Sequence, residues 1–322
     1  MAYTTSDYLT QLQADKQALV NNLVEKGVEA TNEETFTSLV PKVLDIQSGG
    51  SEVTKGLRID SYDENGNITE VTLVGMTEIP DYYLYQVGYK QTSLMGKAKL
   101  NLPDTITKIG NTALSYNIYL TISKLPDSLI SIGPYGFNGC GNLALTELPS
   151  GLRELGMIAF SGCTKLALTK LPNGITDIPQ QCFSDCSNLA LTELPSGLTS
   201  IGTYAFQNCK KLAIKEIPAG VTRLNVNCFY GCTNLTEINC LGDITYINQT
   251  VFRDCTSLAK VIFSNITAVP TLANANAFQN TPIQKGTGYI YVPDTLLENF
   301  KSASNWSTYA SVILPISQMP TE

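Results

Sequence analysis

A proline recurs every 23 residues, at positions 103, 126, 149, 172, 195 and 218, preceded by Leu in five cases and by Ile217 in the sixth. The same grid puts Ile109, Ile132, Leu155, Ile178, Ile201, Leu224 and Ile247 in one column. A second column holds Phe137, Phe160, Phe183, Phe206, Phe229 and Phe252, with Leu114 at its head. A third holds Cys140, Cys163, Cys186, Cys209, Cys232 and Cys255, and a fourth Leu143, Leu166, Leu189, Leu212, Leu235 and Leu258. A unit of this length cannot bury four apolar columns by itself, so each repeat must be one coil stacked on its neighbours. The expected architecture is an α/β repeat solenoid whose Phe and Cys columns lie in the core.

The thiol column follows the same logic. Cysteine behaves as a small hydrophobe with a weak donor, and Asn117 takes its place in the first full repeat. Either side chain can meet backbone groups inside the coil. Cys182 and Cys186, like Cys228 and Cys232, are spaced as metal ligands could be. Cys182 and Cys228, however, share the small-residue slot of Ala113, Gly136, Ala159 and Ala205. Nine cysteines is an odd number, and neither metal nor disulfides are expected of them.

The string "LTELPSGLTSIGTYAFQNCKKLA" resembles the BspA-like class of leucine-rich repeats. That class joins a strand ending in Leu-Pro, a short extended piece ending in Ile-Gly and a helical turn carrying Ala-Phe-x-x-Cys. The resemblance covers roughly residues 73 to 280. It implies a right-handed leucine-rich-repeat solenoid with a parallel sheet, and a binding or adhesion role in bacteria, their mobile elements or some protozoa. The segment "IPDYYLYQV" at 79 to 87 reads as the helical turn of an imperfect first repeat, followed by an insertion of roughly seven residues. Residues 57 to 75 alternate in the manner of strands about Asn65-Gly66, a hairpin signal.

The expected organisation is a helical attachment or oligomerisation segment over 1–48, a linker at 49–56, a hairpin cap over 57–78, repeats over 79–280 and a strand-helix cap over 281–322. In the first segment Leu9, Leu12, Leu19 and Leu23 recur at helical spacing after Thr5 and Ser6. Thr31 with Glu34 then signals a second helix, interrupted by Pro41. Residues 1 to 46 carry seven acids against three bases and resemble the N-terminal segments of phage tail fibre and tail-associated proteins of Gram-positive hosts. A solenoid cap or plain helical hairpin is the other possibility there. The C-terminal stretch reads as a strand, a helix capped by Asp294, and a last helical piece in which Trp306 helps close the coil.

Composition narrows function. The formal charge is −7 with no concentration of Lys and Arg, which argues against nucleic acid. No signal peptide and no run of roughly 18 apolar residues is present, so the chain is expected to be made in the bacterial cytoplasm without membrane insertion. Histidine is absent, which removes the commonest general base. No nucleophile motif or phosphate loop replaces it, and neither enzyme activity nor a cofactor is expected. Glu147, Glu193 and Glu216 share a column with Lys124 and Lys170, expected to form a charge ladder on neighbouring strands rather than a glycosidase site.

Binding is the expected activity, since a solenoid repeats its surface positions in parallel. The candidate ligand-contact residues are Tyr82, Tyr85, Tyr89, Tyr116, Tyr135, Met157, Ile158, Tyr204 and Tyr230, because tyrosine combines ring stacking with a hydrogen-bonding tip. The leading expectation is a phage tail or tail-like particle component. Residues 1–48 would join other particle proteins or form a homo-oligomer, and the solenoid would recognise a host surface glycan or protein. The alternatives are a bacterial cell-surface adhesion protein and a tail enzyme that cleaves cell-wall glycan.

Overall fold

The computed structural model describes residues 56–63, 68–84 and 98–320. The two helices expected in 1–46, the linker and the Asn65-Gly66 turn lie outside these residues. The described chain is a parallel-stranded solenoid whose coils each have three parts: the Leu-Pro segment, the Ile strand and a turn carrying Phe and Cys.

The Ile strands are two residues long and pair in parallel, in register with the repeat. Lys108–Ile109 joins Ser131–Ile132, which joins Glu154–Leu155; further along, Asp177–Ile178 joins Ser200–Ile201 and Arg223–Leu224 joins Tyr246–Ile247. Upstream, Ile79 pairs with Ile109, 30 residues away rather than 23, so this coil holds seven extra residues. Part of that excess lies in 85–97, outside the described residues.

The turn departs from the sequence expectation. Among the described residues it is not α-helical in any repeat, and only the last, Ala275–Phe278, is a short 3-10 helix. Alternate N–H groups point in different directions: Gly136, Asn138 and Cys140 donate three residues back to Gly133, Tyr135 and Phe137. Tyr135, Phe137 and Gly139 instead donate across to Met157, Ala159 and Ser161 of the next coil, at 2.9, 2.8 and 2.7 Å. A helix would turn every N–H the same way. The alternation requires left-handed backbone at two positions per coil, and φ is +59° at Tyr135 and +71° at Gly139.

Inside the turn the phenylalanines form one continuous stack. From Phe137 to Phe252 successive ring centroids lie 5.4–5.7 Å apart with planes within 9°. Phe278 extends the stack at 5.6 Å and 18°. Each cysteine of the column donates its thiol to a backbone carbonyl of the coil before. Cys163 Sγ reaches Phe137 O at 3.1 Å and Cys186 Sγ reaches Phe160 O at 3.0 Å, repeating through Cys255 to Phe229. Asn117 does the same with Nδ2, to Leu84 O at 2.7 Å. All nine cysteines are free and buried.

The ends are closed differently. At the front, Gly56–Tyr62 and Ile68–Val74 form an antiparallel hairpin, and the second of these strands pairs in parallel with Lys99–Asn101. At the back, Trp306 is 1% exposed and donates Nε1–H to Pro270 O at 2.8 Å. It meets Phe300 and Phe263 edge-on, while Tyr309 meets Phe278 edge-on and donates its hydroxyl to Ala275 O. Asp294 does not cap a helix by its side chain. The short helix is Leu297–Ser302, and Asp294 Oδ1 accepts from the Ser317 N–H at 3.2 Å. A final strand, Ile313–Pro315, pairs in parallel with Tyr289–Val292 and was not legible in the sequence.

Candidate functional site

The left-handed positions of the turn recur at the repeat spacing and form two lines along the solenoid. One line runs through Tyr82, Thr112, Tyr135, Ile158, Gln181, Tyr204, Asn227 and Thr250, with φ between 52° and 61°. The other runs through Tyr116, Gly139, Gly162, Asp185, Asn208, Gly231, Asp254 and Asn280. The second line has the residue types that tolerate this backbone, apart from Tyr116. The first line, apart from Asn227, does not. Aromatic and β-branched side chains are outliers in the left-handed region, at a cost of about 1–2 kcal/mol each. The inter-coil hydrogen bond made by the same residue returns about 0.5–1.5 kcal/mol, which is enough to hold the conformation without favouring those side chains.

The first line therefore collects Tyr82, Tyr135, Ile158 and Tyr204 of the candidate contact residues on one side of the molecule. Tyr82 to Tyr204 spans five steps between coils, roughly 24 Å at the usual spacing of ~4.8 Å between strands. Tyr82 is 63% exposed, Met157 45%, Tyr116 40% and Tyr135 38%. Ile158, Tyr204 and Tyr230 are half-buried. Met157 adjoins the line through its carbonyl, which accepts from Tyr135. The Tyr116 ring lies over Gly139, where an added Cβ would come within 2.8 Å of Tyr116 Cδ1. Tyr230 is less available: its hydroxyl bonds Asp254, which raises the Tyr230 pKa, and Arg253 Cζ sits 6.0 Å from its ring. Tyr85 and Tyr89 lie outside the described residues.

Along the second line, side chains of neighbouring coils bond each other. Asn208 Nδ2 donates to Asp185 Oδ1 at 2.8 Å and Asn280 Nδ2 to Asp254 Oδ1 at 2.5 Å. The hydrogen bond from Asn280 holds the Asp254 carboxyl below the usual range, against a smaller opposing effect of burial. The run of Gly, Asn and Asp in this column is a signal for left-handed backbone that the sequence analysis did not use. Nothing comparable marked the first line.

The expected charge ladder is not formed. Lys124, Glu147, Lys170 and Glu193 lie outside strands, and Lys124 pairs with Asp127 of its own coil at 2.8 Å. Lys124, Asp127, Glu147 and Lys170 rim a shallow depression of about 370 Å³ between Leu-Pro segments. A cross-coil ion cluster occurs instead further along, where Glu237 takes Lys215 at 3.0 Å and Lys260 at 2.5 Å. Hydrogen bonds from Lys260 and then Lys215 lower the Glu237 pKa.

All the buried thiols have raised pKa values, Cys140 and Cys255 to about 12, with burial as the main cause. They are poor nucleophiles in this state. Among the described residues no group of three or more His, Cys, Asp or Glu is placed to hold a metal ion, and no helix is long and apolar enough to cross a membrane.

Comparison with known proteins agrees with this architecture. The model of the BspA type leucine-rich repeat region matches in six copies, over residues 77–213 and 159–285. Similar solved structures include a leucine-rich repeat protein of T. pallidum, at 27% identity and TM-score 0.43, covering 64% of this chain and 87% of that one. Another is a leucine rich cell surface protein from Faecalibacterium prausnitzii, at 24% identity and TM-score 0.44. That match covers 73% of this chain and 66% of the other, so it spans about two thirds of that protein's length. A leucine-rich repeat protein from Bacteroides ovatus has 18% identity and TM-score 0.27, covering 83% of this chain and all of its own. No curated protein matches. Since the matched repeats extend over more than half of the sequence, the chain belongs to the BspA-type leucine-rich repeat family.

Proposed function

We propose that this is a non-catalytic binding protein that recognises a bacterial surface glycan or protein through the turn side of its solenoid, as a component of a phage tail or tail-like particle. The observation that carries the binding assignment is the line of Tyr82, Tyr135, Ile158 and Tyr204 held in left-handed backbone. Large side chains kept where Asn or Gly would be more stable are a mark of function rather than of folding. Three of these four residues are tyrosines, whose side chains have few torsions to fix, so contact with a ligand requires little ordering.

The particle assignment is supported by the resemblance of residues 1–46 to tail-associated segments. In this reading residues 1–48 join particle proteins or other copies of the chain, and the solenoid projects to the host. Membership of a repeat family without an enzymatic match supports binding over glycan cleavage, and equally supports a bacterial surface adhesion role.

The test is a variant carrying Tyr82→Asn, Tyr135→Asn and Tyr204→Asn. Asn suits a left-handed backbone, so thermal stability should hold or rise while binding to host cells is lost. Undiminished cell binding by a folded triple variant would remove the turn side as the contact surface. A truncation lacking the first 48 residues should keep cell binding and lose particle incorporation; normal incorporation would refute the attachment role.

A further inference from the structure

A second surface, on the Leu-Pro side of the last coils, has the chemistry of a ligand site. Here parallel strands Glu216–Ile217, Glu237–Cys240, Lys260–Phe263 and Tyr289–Val292 lie side by side. Their outward rows are Glu237, Lys260 and Tyr289, and Glu216, Asn239, Ile262 and Tyr291. Residues Ile316, Ser317, Met319 and Pro320 form the opposite wall of a groove of about 580 Å³. That size is in the range of small-molecule sites.

The groups present narrow the ligand. Two lysines, Lys215 and Lys260, face two glutamates, Glu216 and Glu237, so the groove carries no net charge. Glu237 is fixed between the two ammonium groups at 3.0 and 2.5 Å. Ser264 Oγ donates to Asn239 Oδ1 at 2.8 Å, which sets the amide orientation and makes the Nδ2 hydrogens the groups it can offer a ligand. Tyr289 is not a lining residue but sits on the neighbouring strand, in register with the groove residue Lys260; it is 42% exposed, with its ring centroid 6.3 Å from that of Tyr291. An exposed ring beside fixed, charge-balanced donors and acceptors matches a pyranose, which has an apolar face and an edge of hydroxyls.

We infer that this groove is a second binding site, for a short neutral saccharide stacked on Tyr289 and hydrogen-bonded by Asn239 and Glu237. It is separate from the turn-side line and does not depend on it. A charged ligand would leave one of the paired side chains opposed by like charge.

The experiment is saturation-transfer NMR on the full chain with maltose, cellobiose, lactose and diacetylchitobiose. At least one should receive saturation. Tyr289→Ala should abolish the signal, Tyr289→Phe should keep it, and Asn239→Ala should weaken affinity at least tenfold, all with unchanged melting temperature. The triple turn-side variant should bind the same saccharide normally, which separates failure of this site from failure of the turn side. No transfer to any of the four sugars, or a signal that survives Tyr289→Ala, overturns the assignment. So does preference for a uronate-containing disaccharide.

Discussion

The turn side and the Leu-Pro side of the solenoid are built from the same repeats, yet one is uniform along the molecule and the other is not. On the turn side the Phe stack and the thiol-to-carbonyl bonds continue from Cys140 to Cys255 with little change. On the Leu-Pro side the middle coils, including Leu148-Pro149 and Leu171-Pro172, have no strand, whereas Glu237–Cys240 and Lys260–Phe263 are four-residue strands. From the middle coils to the last, the difference coincides with the loss of proline, although Lys99–Asn101 and Glu216–Ile217 are strands in coils that keep Pro103 and Pro218. Pro218 is followed one repeat later by Leu241, whose N–H donates to Ile217 O at 3.0 Å, a bond proline cannot make. Uniformity thus survives where bonding uses every backbone N–H, and fails where one residue type decides whether an N–H exists.

The strongest way to break the uniform side is alkaline pH. The buried thiols have folded pKa values above their unfolded value, so their contribution is fully present below about pH 9 and is lost as pH rises towards the folded values. Each thiol that ionises only on unfolding weakens stability by about 1.4 kcal/mol per pH unit. Denaturant midpoints should therefore fall steeply from pH 9 to 11; a flat profile would contradict burial of the column. Next in size is Phe183→Ala, which opens the middle of the stack and should cost about 3–5 kcal/mol by denaturant unfolding.

Proline exchange sharpens the comparison on the other side. Leu241→Pro removes a bonded N–H and leaves Ile217 O without that donor, with an expected loss of about 1–3 kcal/mol. Pro172→Leu, in a coil without a strand at this phase, should change stability by less than ~1 kcal/mol. Equal losses in the two variants would mean that proline does not set the difference. Least affected should be Lys170→Ala, since Lys170 is exposed and lies outside the strands. A measurable drop in its melting temperature would restore the charge ladder that the geometry lacks.

These sides also differ in how far they could be read from the sequence. The Phe and Cys columns were legible because an inward position admits few residue types and the repeat spacing exposes the restriction six times over. The role of Cys163 as a donor to the previous coil could be anticipated from Asn117 at the same phase, since both present a donor of similar reach. The helical turn was an expectation carried by the family resemblance, and the apolar spacing of Ala-Phe-x-x-Cys does not argue against it. Lateral bonds from Tyr135 and Phe137 to the next coil outcompete the helix, and one repeat in isolation contains no partner for them. Lys124 and Glu147 share a column by number, but sharing a column does not put them on paired strands when proline has removed the ladder. The candidate residues were a mixed set. Tyr82, Tyr135, Ile158 and Tyr204 form one line, Met157 adjoins it, Tyr116 belongs to the second line, and Tyr230 is engaged by Asp254 and Arg253.

By itself the sequence determined the coil: its period, the residues that face inward, the closing role of Trp306, and the seven-residue surplus of the first repeat. All of these follow from burial, which acts on composition at each phase and so leaves its record in the chain. Only the tertiary structure decided which N–H groups bond sideways, and hence the left-handed line that aligns the tyrosines. It also decided the strand pairing that sets Glu237 between Lys215 and Lys260, and the return of residues 316–320 across the last coils. Hydrogen bonds of this kind are made between backbone atoms common to every residue, or between side chains whose proximity depends on how whole coils stack.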